Sequence, residues 1–443
     1  MILKGNQRGG GKQMALHLLN GEKNEHVTVH EVSGFVAEDV LGALNEAYAL
    51  SKGTQCTQFM YSLSLSPPAN EDVPISVYEE ALKRIEKKLN LEGQPRVVVF
   101  HEKKGRRHAH CVWSRIKIES MTAVNISYDR EKLNTIAKSL YIEHGWKMPD
   151  GFKDKSRKNP LNYTRAEWQQ AARTGQSPKA IKATLQECWV VSDVRKEFEA
   201  ALQECGYYLA KGDRRGYVAV DIHGEIYSLT RQLRAKKKDL ETRLGKAQEL
   251  PSVSEVRRKI SGQLSDIFKN FLDEQNKEHK KELHPLLTKK QKITHQHQKD
   301  RTAQKTYQEN RWQSEELKRS AKIRQGFKGI WDKLNGKYWK TRKQNEQETQ
   351  HCHTRDQKER ETLITTQLSM RQNLQTHLNQ LQTKHEKDRQ NLIRDLSHMV
   401  NMNEVKPKPT PTHEHTHSKL HNHQINKDIN APDIDMEPPV PSG

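Results

Sequence analysis

Residues 97–114 read VVVFHEKKGRRHAHCVWS and predict a β-hairpin. An apolar run rich in β-branched residues precedes a polar loop with one glycine, and a second strand-like segment follows. Because side chains alternate along a strand, His108 and His110 share a face, and His101 ends the preceding strand. If the strands pair, three imidazoles meet at one place. Three neutral imidazoles that leave coordination positions open favour a catalytic divalent metal over a closed structural site.

Composition indicates a soluble protein with a polyanionic partner. The chain has 443 residues and a formal net charge of +20, which favours nucleic acid first and an anionic membrane second. Only 33% of residues are hydrophobic, so the chain cannot be packed core throughout. No apolar run reaches the length of a membrane span, so we expect a cytoplasmic protein without an integral membrane segment. None of the cysteines forms a CxxC pair, so the sequence indicates neither a disulfide framework nor a zinc ribbon. The cysteines are Cys56, Cys111, Cys188, Cys205 and Cys352.

The region 1–151 predicts an α+β domain, an antiparallel sheet with interspersed helices. Besides the hairpin, the patterns predict strands at 26–32 and 56–65 and helices at 37–51, 76–91 and 130–144.

The first residues of this domain combine glycines with cations. Residues 1–13 suit either close approach to a phosphate, with Arg8 and Lys12 neutralising it, or a flexible terminus. A short apolar helical turn at 14–19 follows and contains His17. In the hairpin loop, Arg106 and Arg107 are placed to steer or clamp a phosphodiester backbone.

The rest of the chain predicts four further segments. A connector at 152–181 precedes a small accessory domain at 182–235, where a helix and a β-meander are expected. Residues 236–404 predict a long basic helical region. The Pro- and His-rich segment 405–443 predicts a disordered tail.

Two apolar patterns interrupt the basic helical region. The segment 326–338 predicts a docking or membrane-surface helix, or a solvated helix whose apolar face is packed within the chain. The second pattern is a set of apolar residues at steps of three, four or seven, with gaps. It indicates either a weak coiled coil, which would allow self-association, or an amphipathic helix on a partner. The residues are Leu363, Met370, Leu374, Leu378, Leu381, Leu392 and Leu396.

The hairpin with His101 and the His108-Ala109-His110 triplet resembles the metal motif of the HUH endonucleases. The order of features over 1–150 more closely resembles the plasmid relaxases, or mobilisation nucleases. This resemblance implies a five-stranded antiparallel sheet and Mg²⁺ or Mn²⁺ held by the three histidines. It also implies nicking of one DNA strand at a transfer origin, covalent attachment to the 5′ end and later rejoining.

The resemblance departs from most relaxases at the nucleophile. They place a tyrosine in the first helix, where this chain has His17, and a minority of relaxases use histidine. Neutral imidazole can attack phosphorus and give a reversible phosphoramidate. The alternatives are a structural His17 with Tyr48 or Tyr61 as nucleophile. Glu102 could orient a ligand or accept the imidazole proton, or it could be a surface carboxylate.

The resemblance also implies partners. A relaxase works with a coupling protein and type IV secretion machinery, and it is translocated to a recipient cell attached to DNA. Such proteins often carry a secretion signal in a tail like 405–443. Two alternatives stay open: a non-catalytic DNA-binding or partition-type scaffold, and hydrolysis of a non-nucleic-acid substrate by metal-bound water.

Overall fold

The computed structural model describes residues 1–22, 24–69, 71–154, 159–213, 216–263, 266–324 and 326–404. Contacts divide the chain into two compact units that interleave in sequence. The first comprises Met1–Phe152 and His284–Asn379, and the second comprises Lys153–Leu283 and the chain from Gln380 onwards. The predicted mixed α+β architecture is confirmed. The tail predicted at 405–443 lies outside the described residues.

The first unit is built on a five-stranded antiparallel sheet of order β1-β3-β5-β4-β2, as the resemblance implied. Its strands are β1 (Ile2–Arg8), β2 (His26–Ser33), β3 (Met60–Ser66), β4 (Arg96–Lys103) and β5 (Arg106–Ser114), followed by the short pair β6 (Ile116–Lys117) and β7 (Thr122–Ala123). Its helices are α1 (Gly11–Leu18), α2 (Val40–Ser51), α3 (Ile75–Leu89), α4 (Asp129–Glu143) and the single turn α5 (Asp150–Lys153). The predicted hairpin is therefore confirmed as β4 and β5.

The two faces of this sheet carry separate cores. Val97 and Val99 of β4 pack with α1 and α2 on one face. Val98 and Phe100, the alternate residues of the same strand, pack with α3 and α4 on the other. Every side chain of the β4–β5 hairpin is thereby assigned to one face by its position along the strand.

The N-terminal segment forms strand β1 and the start of α1, so the alternative of a flexible terminus for residues 1–13 is wrong. Residues of β1 pair with β3, and Gly5 lies opposite Leu63. A Cβ at Gly5 would lie 1.7 Å from the phenolic oxygen of Tyr61, so only glycine fits there. A Cβ at Gly11 would lie 2.3 Å from the carbonyl oxygen of Leu44, where α1 crosses α2. Both glycines therefore permit close packing.

The second unit contains the predicted helix and β-meander. Its strands form a three-stranded antiparallel sheet of order β10-β9-β8. The elements are α6 (Arg165–Arg173), α7 (Pro178–Val190), α8 (Arg195–Glu204), β8 (Tyr207–Ala210), β9 (Val218–Asp221), β10 (Ile226–Ser228), α9 (Leu229–Gln232), α10 (Lys237–Leu244), a 3₁₀ turn (Ala247–Glu249) and α11 (Val253–Gln263).

Three further helices complete the described chain: α12 (Asp266–Ala321), α13 (Gly326–Leu334) and α14 (Lys337–Glu404). Within the first unit, α12 and α14 run antiparallel, because Arg301 contacts Gln367 and Glu315 contacts Arg355. We call residues 284–321, α13 and residues 337–379 the helical arm. The contacts between Arg301 and Gln367 and between Glu315 and Arg355 pair α14 with a helix of its own chain through polar groups.

The apolar side chains of α13 face outward. Gly329 and Asp332 are its buried residues, and Asp332 pairs with Arg324. Phe327 and Trp331 are 93% and 68% exposed. The alternative of an apolar face packed within the chain is therefore wrong. None of the helices in the described ranges is long and apolar enough to cross a membrane.

Candidate active site

The register of the β4–β5 hairpin brings the three predicted metal ligands to one face. His101 lies opposite His108, and Val99 lies opposite His110. A two-residue turn closes the hairpin, with Lys104 at φ 54° and Gly105 at φ 70°, the left-handed conformations that a tight hairpin turn requires. The three imidazoles share the face of the sheet that packs against α1 and α2.

The three imidazoles form a compact cluster. The ring centroids of His101 and His110 are 4.5 Å apart, those of His108 and His110 are 5.3 Å apart, and those of His101 and His108 are 5.6 Å apart. One nitrogen from each ring can be chosen so that all three lie within 4.8 Å of one another. In the part of the chain that the structure describes, no other histidine, cysteine and carboxylate group meets this criterion.

The backbone of α1 orients one of these rings. His101 Nε2 lies 2.7 Å from the carbonyl oxygen of Leu18. Because a carbonyl only accepts, Nε2 carries the proton and Nδ1 keeps its lone pair. Metal-binding histidines commonly donate their second ring nitrogen to a backbone carbonyl in this way.

Burial keeps all three imidazoles neutral at physiological pH. Burial lowers the pKa of His101, lowers that of His108 to about 3, and lowers that of His110 well below its usual value. Neighbouring imidazoles and, for His108, nearby Arg106 act in the same direction. Neutral imidazoles present lone pairs, so the donor set fits a divalent metal.

His17 lies beside this cluster. It is exposed near the end of α1, and its ring centroid is 6.2 Å from that of His110. The following residue, Leu18, supplies the carbonyl that binds His101. The structure thus brings together an accessible imidazole and the three candidate ligands.

The two tyrosines considered as alternative nucleophiles lie elsewhere. Tyr61 is buried in the core on the opposite face of the sheet and donates a 3.0 Å hydrogen bond to Asp129. Burial and the Asp129 charge raise the pKa of Tyr61, which makes its phenolate harder to form. Tyr48 is exposed on α2, where its ring packs 5.8 Å from Phe59. Among the described aromatic contacts, the ring brought to the three histidines is that of His17.

Glu102 is placed away from the imidazoles. It follows His101 directly and therefore faces the other side of the sheet, where Arg301 binds both of its oxygens at 2.9 and 3.0 Å. Arg371 also binds it. Burial alone would raise the pKa of Glu102, but the two arginines outweigh burial and hold it at about 2. The structure brings this carboxylate to the helical arm.

The four cations predicted to contact DNA fall into two groups. Arg8 ends β1 and Lys12 lies in the first turn of α1, and both are exposed on the segment that leads to His17. Arg106 donates to the carbonyl oxygen of Pro67 at 2.9 Å, and buried Arg107 donates to Glu361 at 3.0 Å. The first pair is available to a ligand, whereas the second pair has partners within the protein.

Sequence reasoning missed four groups around the hairpin: the Leu18 carbonyl, Glu25, Arg301 and Arg371. Glu25 was detectable only as an acidic residue directly before a strand. The two arginines stand in a helical region already rich in cations, and no spacing marks them. Only the tertiary structure identifies them.

The five-stranded antiparallel sheet with an imidazole cluster on one face is the arrangement that the resemblance to the HUH endonucleases implied. Residues 17–146 match the family model described as "Relaxase: MobA/VirD2-like, nuclease domain". This region is therefore a relaxase nuclease domain, a class of DNA-nicking domains that generally requires a divalent metal. No curated protein and no solved structure matches the chain.

Proposed function

We propose that this chain is a relaxase that nicks one DNA strand at a plasmid or element transfer origin and initiates conjugative mobilisation. His17 is the proposed nucleophile, and it remains attached to the 5′ phosphate. The observation that carries this proposal is the exposed His17 ring 6.2 Å from His110, on the face that holds all three candidate ligands. This distance supports the proposal, because one phosphodiester would then reach both the proposed nucleophile and the proposed metal.

The proposed step exchanges one bond to phosphorus for another. A lone pair of the neutral His17 imidazole attacks phosphorus, and the bond from phosphorus to the 3′ oxygen breaks. The departing electron pair stays on the 3′ oxygen, which takes up a proton, while the other ring nitrogen releases one. The product is a phosphoramidate, and attack by a 3′ hydroxyl reverses the step and rejoins the strand. A bound Mg²⁺ or Mn²⁺ would polarise a non-bridging phosphate oxygen and orient the scissile group.

The exposed cations before His17 support DNA binding at this face. Arg8 and Lys12 would contact phosphates of the strand presented to His17, with an affinity that falls steeply with salt. Arg106 and Arg107 would act on DNA only after exchanging their protein partners. The chain's net charge of +20 adds a sequence-independent attraction.

The wider proposal follows from the class of protein. The chain would act in the bacterial cytoplasm, engage a coupling protein and type IV secretion machinery, and reach a recipient cell attached to single-stranded DNA. Self-association through the leucines of α14 remains part of this proposal. In the same proposal, residues 182–235 form an accessory domain and residues 236–404 hold DNA nonspecifically through phosphate contacts.

The test is nicking of supercoiled plasmid that carries the neighbouring intergenic DNA, with Mn²⁺, Mg²⁺ or EDTA. We expect metal-dependent nicking and a protein–DNA adduct on denaturing gels, both lost in His17→Ala and His108→Ala. The matched control is His144→Ala, an exposed histidine that stacks on Trp146, which packs on the sheet face opposite the imidazoles.

The adduct's chemistry separates the candidate nucleophiles. A phosphoramidate is labile in acid, whereas a tyrosine phosphodiester is stable there. An acid-stable adduct that survives His17→Ala would move the nucleophile to a tyrosine. Salt-sensitive binding without nicking on any candidate origin would instead favour the non-catalytic scaffold.

A further inference from the structure

We infer that the helical arm positions the metal hairpin, and that Arg301 and Arg371 are the positioning residues. This inference rests on the proposed metal-dependent function and adds a role for residues about 200 and 270 positions downstream of the nuclease strands. The contacts lie within the first unit, on the face of the hairpin opposite the imidazoles.

Glu102 is the first anchor. Arg301 of α12 binds its two oxygens in a bidentate fork, and Arg371 of α14 binds one of them as well. The side chains of Glu102 and Arg371 are each 3% exposed, so the pairs are shielded from water. Because Glu102 directly follows His101, the fork fixes the end of the strand that carries the first candidate ligand.

Glu25 is the second anchor, and it holds the hairpin turn. Its carboxylate accepts hydrogen bonds from the backbone nitrogens of Lys104 and Gly105, at 2.9 and 3.3 Å. The same carboxylate binds Arg371 and, at 3.2 Å, Lys290 of α12. Arg371 thereby joins the turn between the two histidine strands to the strand end at Glu102.

The turn also touches the backbone of the arm. A Cβ at Gly105 would lie 2.4 Å from the backbone nitrogen of Gln372 and 2.8 Å from the carbonyl carbon of Arg371. No side chain fits between the turn and α14. The arm therefore meets the hairpin both through charged groups and through direct backbone approach.

These contacts specify geometry more than they add stability. Buried ion pairs contribute little net stability because desolvation offsets their attraction, and their best-supported use is to fix register. A bidentate fork restrains orientation as well as distance. Register matters here because a shift of one residue would turn His101 to the opposite face.

The test measures the affinity of the full chain for Mn²⁺ in the absence of DNA, by calorimetry and by electron paramagnetic resonance. We expect Arg371→Gln and Arg301→Gln to weaken Mn²⁺ binding by about 10-fold, the lower end of the effect of residues that orient metal ligands. Arg371→Lys should recover part of the loss, since it keeps the charge but has one nitrogen instead of the two that join Glu25 to Glu102. The control is Arg355→Gln, which breaks a pair with Glu315 elsewhere on the arm and should leave Mn²⁺ affinity unchanged.

A pair of glycine variants tests the same contact without altering charge. Gly105 and Gly93 have similar left-handed backbones, at φ 70° and 74°, but a Cβ at Gly93 meets nothing within 4 Å. Backbone strain is therefore common to both alanine variants. We expect Gly105→Ala to weaken Mn²⁺ binding and Gly93→Ala to leave it unchanged, with folding of both followed by circular dichroism.

His108→Gln separates the two ways in which the idea can fail. If His108→Gln abolishes Mn²⁺ binding while folded Arg371→Gln and Gly105→Ala bind like the wild type, the arm does not position the hairpin. If His108→Gln itself leaves Mn²⁺ binding intact, the proposed metal site is wrong and the positioning role falls with it. If the arginine variants unfold, Gly105→Ala decides the outcome, and if Gly105→Ala unfolds, the arginine variants decide it.

Discussion

The two faces of the β4–β5 hairpin differ in what surrounds them, although alternate residues of the same strands build both. His101, His108 and His110 stand on one face as neutral imidazoles beside an exposed histidine. Glu102 and Arg107 stand on the other face, buried and ion-paired to the helical arm. Strand alternation thus lets one hairpin carry reactive groups on one face and anchoring groups on the other.

The largest effect should come from the imidazole face. We expect His17→Ala to lower the nicking rate by at least about 10³-fold, because loss of a nucleophile removes the covalent route altogether. Mn²⁺ affinity should change little, since His17 lies outside the ligand set. Single-turnover nicking and Mn²⁺ titration check this prediction, and comparable loss of both would place His17 among the metal ligands.

Removing the carboxylate of the arm face should cost stability. We expect Glu102→Gln to lower the free energy of unfolding by roughly 3–5 kcal/mol, because it leaves two buried arginine charges without their partner. The more exposed Glu315→Gln should cost about 1 kcal/mol or less. Urea denaturation of both variants checks this, and equal losses would contradict the distinction.

Acid should lower the free energy of unfolding through one buried histidine on each face of the sheet. Burial lowers the pKa of His108 to about 3 and that of His26, which pairs with Glu102 across the strands, to about 4. The unfolded chain takes up protons below pH 6.5 while the folded chain does not, so stability falls as pH is lowered towards 4. We expect each histidine to contribute up to about 3 kcal/mol over that window, at roughly 1.4 kcal/mol per pKa unit.

Variants separate the two contributions. Melting temperatures of His108→Gln and His26→Gln, measured from pH 7 to pH 4, should each show a flatter pH profile than the wild type. Saturating Mn²⁺ should raise the wild-type melting temperature and leave that of His108→Gln nearly unchanged. A stability that is flat between pH 6.5 and 4 would be incompatible with these lowered pKa values.

The smallest effects should come from the tyrosines. Tyr61→Phe removes the hydrogen bond to Asp129 and should cost about 1 kcal/mol of stability without reducing the yield of adduct. Tyr48→Phe should change neither quantity. Thermal melts and denaturing gels check both, and loss of the adduct in either variant would reassign the nucleophile.

The local sequence pattern predicts which residues form the imidazole face of the hairpin. It does not predict what the residues of the other face contact. The β-branched run, the single glycine in the loop and the spacing of His108 and His110 specify a hairpin with three histidines on one face. The same alternation places Glu102 opposite them, so adjacency to His101 in sequence was a poor guide to its neighbours. Strand β1 was missed because Gly5 interrupts it and a run of three glycines follows it directly, and the reason for Gly5 is the Tyr61 side chain across the pair.

Sequence pattern could not predict the arginines that anchor the hairpin. Arg301 and Arg371 lie 199 and 269 residues from Glu102, among many similar cations. Nothing local distinguishes an arginine that will be buried from one that stays in solvent. Long-range ion pairs between a strand and a distant helix depend on the tertiary fold, which single-sequence periodicity does not contain.

The distance between Glu102 and Arg371 along the chain also sets an order of events during protein synthesis. Ribosomes add about 5–20 residues per second, so Arg371 emerges roughly 15 to 50 seconds after Glu102. His108 and His110 follow Glu102 by only six and eight residues, so all three candidate ligands exist long before Arg371 is synthesised. On the positioning inferred above, the nascent chain would acquire a fully positioned metal centre only after Arg371 has been synthesised. Stalled chains that end before and after Arg371 would then differ in Mn²⁺ affinity.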